Sequence, residues 1–349
     1  MVSDAEAAVH ALNARARPAL APLARLLLRT ESIASSKVEG MQVDSRDLAR
    51  AEVRLDTGGK AGPSATEILA NIDAMELAVY RAASADLVGV HQIAEIHTAL
   101  MAGAANSHVA GQVRGEQNWI GGNNYTPCGA DFVPPPPEAV PALLTDLCAF
   151  IDEQQLPPLV QAGLVHAQFE TIHPFMDGNG RTGRALIHVV LRRRGLAPAY
   201  VPPISVVLAA TRGDYIQGLT AFREGDVDAW LLHFAAATAR AAGLAKAYLD
   251  AVHRLQERWR EQLRGQGNPR ADAAAWRLID VLPAHPVITL PVAVTAVERS
   301  KAVVNQALAE LEDAAVLIRL GGGQRNRSWE AAGLLDLLSH LDQAGTPPR

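Results

Sequence analysis

Residues 173–184 read HPFMDGNGRTGR, and this stretch predicts a tight turn that opens into a helix. The glycines on either side of Asn179 allow positive φ angles and let the backbone pass close to a ligand. A helix that begins at this turn would point its first N–H groups at an anion held in the loop. No Lys-Ser or Lys-Thr pair follows the glycines, so the stretch is not a Walker loop.

Charged and titratable side chains surround the glycine turn. His173 is of the type whose unperturbed pKa suits proton abstraction near neutral pH, and Asp177 is a hard oxygen ligand suited to Mg²⁺ on phosphates. Arg181 and Arg184 are three residues apart, so on a helix they share a face and can clamp phosphate oxygens. A base, a metal ligand, an anion site and two arginines in one stretch predict phosphoryl or nucleotidyl transfer.

The same stretch resembles the Fic family motif, HxFx(D/E)GNGRxxR, at every specified position. The resemblance implies an all-α Fic core that transfers AMP from Mg-ATP to a hydroxyl of a target protein. It makes His173 the catalytic base, Phe175 an anchor of the loop and Asp177 the Mg²⁺ ligand. The nucleotide-binding residues that it implies are Gly178, Asn179, Gly180 and Arg181 for phosphate, and Arg184 for the γ-phosphate.

An N-terminal segment, TESIASSKVEG at residues 30–40, carries Ser35 and Glu39 on one helical face. It resembles the inhibitory helix of the family, (S/T)xxxE(G/N). A Glu39 carboxylate can form a bidentate pair with the Arg184 guanidinium and so occupy the γ-phosphate site. The resemblance implies that Ser35 contacts the phosphate-binding loop. The alternative is that Ser35 and Glu39 form an ordinary solvated surface pair.

Residues 111–137 break the helical pattern and predict a short β-hairpin with a glycine-rich tip. Four prolines follow and force an extended exit. The resemblance makes this hairpin the Fic flap, which would hold a segment of the target by strand addition and place its Tyr, Ser or Thr over the catalytic base. The predicted target-docking residues are Trp119, Ile120, Gly121 and Gly122.

Three further side chains lie near the predicted site. Tyr215 resembles a family position near the nucleotide, although the second tyrosine usual there is Asp214 in this chain. His166 lies one turn inside the helix that ends at the catalytic motif, and we expect it to donate a hydrogen bond that fixes the loop. His97 lies beside an apolar helix face and is predicted to be a hydrogen-bonded core residue.

Composition limits the class of protein. The chain has 349 residues, 49% of them hydrophobic and only 5% aromatic, which favours more than one domain and helices over sheets. The net charge of −5 gives no general reason to expect nucleic-acid binding. Cys128 and Cys148 have no metal or redox spacing. With no signal peptide pattern and no membrane-length apolar run, we expect a cytoplasmic protein that does not bind membranes.

The predicted fold class is all-α, a Fic-type helical core with a small β-hairpin flap plus a C-terminal winged-helix domain. Residues 1–60 form the N-terminal helical region with the inhibitory helix, 61–264 the Fic catalytic core and 271–345 the winged-helix-like domain. Residues 265–270 read as a linker.

The C-terminal region resembles a winged helix because a helix-turn-helix pattern at 291–314 precedes two strands around a glycine-rich wing. Such folds often bind DNA through the second helix. That helix is hardly basic here, and only Arg325 and Arg327 in the wing suit phosphates. A protein-contact module is therefore favoured over DNA binding.

Three functions stay open from the sequence. The favoured one is an autoinhibited protein adenylyltransferase that uses ATP and Mg²⁺. The second is a de-AMPylase in which Glu39 orients the water that removes AMP from a modified target. The third is a regulator that binds DNA through the winged helix and senses nucleotide in the core. A homodimer, inhibition by Glu39 of a neighbouring subunit and the use of another nucleotide also stay open.

Overall fold

The computed structural model describes residues 1–16, 21–56, 58–123, 125–267, 269–320 and 327–344, the side chains of 342–344 excepted. Good helix formers are abundant and aromatic residues are few, so the chain folds mostly as α-helices. The helices up to the end of the predicted core are α1 Val2–Asn13, α2 Ala21–Val38, α3 Ser45–Asp56, α4 Pro63–Tyr80, α5 Val90–Met101, α6 Val140–Asp152, α7 Pro158–Ile172, α8 Asn179–Arg193, α9 Ile204–Ala210, α10 Arg212–Arg223 and α11 Val227–Gln266.

Helix α2 is longer than the sequence predicts. Prolines at positions 18 and 22 predict a broken or kinked helix up to about residue 29, whereas α2 runs without a break from Ala21 to Val38. Pro22 is the second residue of the helix, where a missing N–H costs no helical hydrogen bond. The predicted break at Pro18 lies outside the described residues.

Helices α2 and α8 cross the interior of the helical core. Helix α2 packs on α4 and α9, and α8 packs on α4 and α7. Leu26, Leu27 and Leu28 are all buried, so α2 is enclosed on every side. Farther along, the same helix buries polar side chains, and so does α8 at Arg184 and His188. Buried polar groups need hydrogen-bond partners, and these two helices supply them to each other.

The C-terminal part adds four helices and a sheet: α12 Ala274–Val281, β1 Val287–Thr289, α13 Leu290–Val297, α14 Lys301–Asp313, β2 Leu317–Leu320, β3 Ser328–Ala331 and α15 Leu334–Ala344. The sheet is antiparallel in the order β1-β3-β2. The order of these elements is the one that the winged-helix interpretation requires, and that name stays a prediction, as do the domain boundaries. The wing residues 321–326, with Arg325, lie outside the described residues.

Contacts join the C-terminal part to the rest of the chain. Helix α11 continues to Gln266, two residues into the predicted linker. Arg46, in the first turn of α3, donates hydrogen bonds to Glu330 over 3.2 Å and to Asp336 over 2.8 Å. None of the described helices is long and apolar enough to span a membrane.

Candidate active site

The turn between α7 and α8 is held in an unusual backbone conformation. His173, directly after α7, has φ 48° and ψ 61°, a left-handed geometry that non-glycine residues adopt only when their surroundings impose it. Its carbonyl oxygen accepts hydrogen bonds from Arg114 Nε at 2.9 Å and Asn118 Nδ2 at 3.3 Å. These two residues, which the sequence did not single out, fix the end of α7.

A side-chain clasp closes the loop from within. Asn179 Nδ2 donates to the carbonyl oxygen of Phe175 over 2.7 Å, and Phe175 N–H donates back to Asn179 Oδ1 over 2.9 Å. Phe175 is buried and stacks on His97 with the ring centroids 3.8 Å apart. The side chain of Asn179 therefore stabilises the conformation of the loop, and α8 begins at the same residue.

His97 supports the loop from below. Its Nδ1 accepts a hydrogen bond from Gly111 N–H at 2.8 Å, so the ring proton lies on Nε2 and is donated to the carbonyl oxygen of Asp177 at 2.9 Å. Burial lowers the pKa of His97, which keeps this neutral form at physiological pH. As expected from the sequence, His97 is a hydrogen-bonded core residue.

His173 is half-buried at the mouth of the loop. Burial, with the charges of Arg223 and Arg114, lowers the pKa of His173 to about 4. The imidazole is therefore neutral near pH 7 and has a free lone pair. Among the described residues, no hydrogen-bond partner meets its Nδ1. A neutral imidazole suits proton abstraction.

Arg184 is buried and donates three hydrogen bonds to the C-terminal end of α2. Its Nε donates to Ser35 Oγ at 2.9 Å, and its Nη2 donates to Ser35 O at 2.8 Å and Glu39 Oε1 at 2.7 Å. Burial alone would raise the pKa of Glu39, but the charge and hydrogen bond of Arg184, together with the charges of Arg181 and Arg212, lower that pKa overall. Glu39 is therefore a carboxylate near neutral pH.

Two details of this contact differ from the sequence interpretation. The pair was predicted to be bidentate, but a single Glu39 oxygen accepts from Arg184. Ser35 was expected to contact the phosphate-binding loop, but it bonds Arg184 instead. A Cβ placed on Gly180 would lie 2.1 Å from Glu39 Oε1, so the carboxylate rests directly on the first turn of α8.

Asp177 lies at the open side of the same loop. Its Oδ1 accepts from Gly178 N–H at 2.6 Å and its Oδ2 accepts from Asn106 Nδ2 at 2.9 Å. The side chain is about half exposed, so its oxygens can still reach a cation that also binds phosphates. Arg181 is buried and lies 3.6 Å from Glu67. A cavity of about 270 Å³ joins these groups, lined by Glu39, Met41, Glu67, His173, Met176, Asp177, Gly178, Asn179, Gly180 and Arg181.

Comparison with known proteins shows the family of this chain. Residues 88–191 match the model of the Fic/DOC family, and residues 1–80 match that of the Fic/DOC family N-terminal region. The chain belongs to the Fic/DOC family. The crystal structure of a Fic family protein from Desulfovibrio desulfuricans G20 shares the fold with a TM-score of 0.57 at 19% identity, over 95% of this chain and 96% of that one.

Two relatives that are named as protein adenylyltransferases are similar to parts of this Fic/DOC protein. It is 29% identical over 145 residues to protein adenylyltransferase fic-1 of Caenorhabditis elegans, across 41% of this chain and 25% of that protein. It is 36% identical over 100 residues to a probable protein adenylyltransferase of Aquifex aeolicus (strain VF5), across 28% of this chain and 29% of that protein. The chain thus spans less than a third of the length of these relatives.

Tyr215 of this Fic/DOC protein is buried, and its hydroxyl lies 2.8 Å from His166 Nε2. The sequence predicted that His166 would bond the loop, but its partner is Tyr215 on α10. Burial lowers the pKa of His166 to about 3, so this ring also stays neutral. Nucleotide binding by Tyr215 stays a prediction.

The flap of this Fic/DOC protein is less regular than the predicted hairpin. One antiparallel bridge joins Ile120 to Phe132, and no strand forms on either side of it within the described residues. Gly121 and Gly122 have φ values of 78° and 71°, which end the extended backbone. The prolines that follow lack N–H donors. Trp119 Nε1 donates to Asn123 O at 2.6 Å within the tip.

Proposed function

We propose that this chain is a protein adenylyltransferase that moves AMP from Mg-ATP to a Tyr, Ser or Thr hydroxyl of a target protein, and that Glu39 inhibits it. The Fic/DOC domain and the relatives named protein adenylyltransferase support the reaction class. The observation that carries the regulatory part is the 2.7 Å contact between Glu39 Oε1 and Arg184 Nη2.

His173 would take the proton from the target hydroxyl. Its lowered pKa, about 4, supports this role because the ring would be neutral when the target arrives. The hydroxyl oxygen would attack the α-phosphorus in line, and pyrophosphate would leave. Mg²⁺, when bound, would neutralise charge on the phosphates, and Asp177 is the side chain suited to hold it. Catalysis would rest on positioning and electrostatic stabilisation.

Glu39 and the γ-phosphate of ATP would compete for the Arg184 guanidinium. The first N–H groups of α8 and the Arg184 guanidinium form an anion site. The Glu39 carboxylate rests on that helix start, 2.1 Å from where a Cβ on Gly180 would be. A γ-phosphate would need the same guanidinium and the same space. While Glu39 stays in place, ATP would therefore bind in a pose unfit for in-line attack.

The flap would hold the target beside His173. Asn118 bonds the His173 carbonyl oxygen, so a peptide paired along Trp119, Ile120, Gly121 and Gly122 would pass close to the base. The C-terminal part would position a protein target rather than bind DNA, which agrees with a net charge of −5.

The test compares wild type, Glu39→Gly and His173→Ala, each incubated with Mg²⁺ and α-labelled ATP and followed by gel autoradiography of self-labelling. Label on the Glu39 variant, with little on wild type and none on the His173 variant, is the expected result. Absence of label from all three proteins would contradict the proposal.

A further inference from the structure

A second polar contact joins α2 to α8, one helical turn away from the contact between Ser35 and Arg184. Glu31 on α2 and Ser205 on α9 have no exposed surface, and His188 on α8 is 1% exposed. Glu31 Oε1 lies 2.9 Å from His188 Nε2 and accepts from Ser205 Oγ at 2.6 Å. Glu31 Oε2 accepts from Ser205 N–H at 2.8 Å. One buried carboxyl group thus binds two neighbouring helices.

The spacing of this network matches that of the inhibitory contact. Glu31 lies four residues before Ser35 on α2, and His188 lies four residues after Arg184 on α8. Residues four apart lie above one another on a helix face. The Ser35 contact to Arg184 and the Glu31 contact to His188 are therefore successive contacts between the same two helices. A rotation or translation of α2 that breaks one of these two contacts must also strain the other.

The Glu39 contact, which follows the end of α2, is more exposed than the Glu31 network. The Glu39 side chain is 36% exposed and follows the last residue of α2, next to Gly40 at φ 83°. The Glu31 side chain is fully enclosed, and water cannot replace a lost partner there. A buried charged or polar group that loses its partner is strongly disfavoured, whereas an exposed one is resolvated. The Glu31 network is therefore the rigid contact, and the Glu39 contact is the one that can open.

We infer that Glu31, with His188 and Ser205, is a positioning network that sets the rotation and height of α2 at which Glu39 meets Arg184. This inference rests on the proposed inhibition by Glu39. None of the three residues lines the cavity that holds the catalytic loop, so they act through the helix and not on ATP or target. Loosening the network should weaken inhibition and leave the chemistry unchanged.

The test uses Ser205→Ala and Glu31→Gln. Ser205→Ala keeps the backbone donor and removes one bond to Glu31, so it remains informative where Glu31→Gln fails to fold. Thr30→Val is the matched control, because the Thr30 hydroxyl is buried in the same helix but bonds only Leu26 O of its own helix. Self-labelling with α-labelled ATP should rise roughly 5-fold or more over wild type in the network variants. Thr30→Val should label like wild type.

Two further measurements separate the inference from the proposed function. In the Glu39→Gly background, Ser205→Ala should add no further label, because the contact that the network positions is already gone. Hydrogen exchange of the amides at 36–40 should be faster in Ser205→Ala than in Thr30→Val, whether or not any protein labels. A labelled Glu39→Gly protein beside a silent Ser205→Ala protein with unchanged exchange would overturn the inference and leave the proposed function standing. Absence of label on the Glu39→Gly protein would contradict the proposed function. The hydrogen-exchange comparison of Ser205→Ala with Thr30→Val would then be the test of the positioning role.

Discussion

Glu39 Oε1 lies 2.7 Å from Arg184 Nη2, and the two side chains differ sharply in exposure, at 36% and 1%. The arginine is fixed by its surroundings because Ser35 accepts two more of its hydrogen bonds. The glutamate is attached to the end of a helix and faces the cavity. The acid is thus the partner that can leave, and the guanidinium that it would release is already oriented.

Removing the Glu39 charge should activate the protein. A hydrogen bond to a charged group contributes about 1.5–3 kcal/mol, so Glu39→Gln, which keeps the shape, should raise initial self-labelling by roughly tenfold or more at subsaturating ATP. Glu67→Gln is the matched control, because Glu67 faces Arg181 at 3.6 Å in the same cavity and does not touch Arg184. Equal labelling by the two variants would contradict a specific role for Glu39.

Loss of His173 should remove transfer and leave nucleotide binding. In the Glu39→Gly background, His173→Ala should lower labelling by roughly 100-fold or more, the usual effect of losing a general base. ATP affinity, measured by calorimetry, should change little, since the phosphates are expected to bind the N–H groups of α8. His10→Ala, on the exposed side of α1, is the control and should label normally. Retained labelling without His173 would point to another base.

Asp177 should control the dependence on Mg²⁺. Asp177→Asn keeps the size of the side chain and one acceptor oxygen but removes the charge that a hard cation prefers. We expect the Mg²⁺ concentration for half-maximal labelling to rise roughly tenfold in the Glu39→Gly background, with partial recovery at high Mg²⁺. Asp131→Asn, on the exposed flap, should leave the Mg²⁺ curve in place. An unchanged curve for Asp177→Asn would remove Asp177 as the metal ligand.

Gly183 should tolerate no side chain, because α7 approaches it closely. A Cβ there would lie 2.5 Å from Glu170 Oε1 and 3.0 Å from the Phe169 ring. Gly183→Ala should therefore destabilise the fold by about 1–3 kcal/mol, measured by urea unfolding. Gly243→Ala, in an exposed part of α11 with no atom within 4 Å, should instead stabilise it by about 0.5–1 kcal/mol. A neutral Gly183→Ala would show that the carboxyl group moves aside at no cost.

Glu170 should make stability fall as the pH rises. Burial raises the pKa of Glu170 to about 7, above its ordinary value of 4.5. The folded state therefore binds the proton more tightly than the unfolded state, and this stability is complete below pH 4.5 and lost as the pH rises through 7. Glu170→Gln carries no such titration.

The measurement is the difference in free energy of unfolding between wild type and Glu170→Gln from pH 5 to pH 8.5. Each pKa unit is worth about 1.4 kcal/mol, so the variant should gain roughly 3 kcal/mol on wild type over this range. Taking the difference cancels the contribution of the histidines to the free energy of unfolding. The lowered pKa values of His166 and His173 make stability rise with pH, opposite to the effect of Glu170. A constant difference across the range would mean that Glu170 is ionised in the folded protein.

The turn between α7 and α8 could be predicted because its members are close in the chain. His173 and Asp177 lie in the turn and Arg184 lies on the helix that follows it, so their short separation in the chain keeps them near one another. The pairing of Ser35 and Glu39 on one face was also local, and the family motif supplied their distant partner.

Tertiary structure decided which distant groups meet. Helical periodicity reports the face that is buried, but it does not say which atom 50 or 150 residues away completes a hydrogen bond. Tertiary packing settled the contacts of Arg114 with the His173 carbonyl oxygen, of Tyr215 with His166, and of His188 with Glu31. The sequence thus determined the chemistry of the loop. The close packing of α2 against α8 and α9 decided where an acid rests on it, because a buried polar group accepts only a geometry that satisfies its hydrogen bonds.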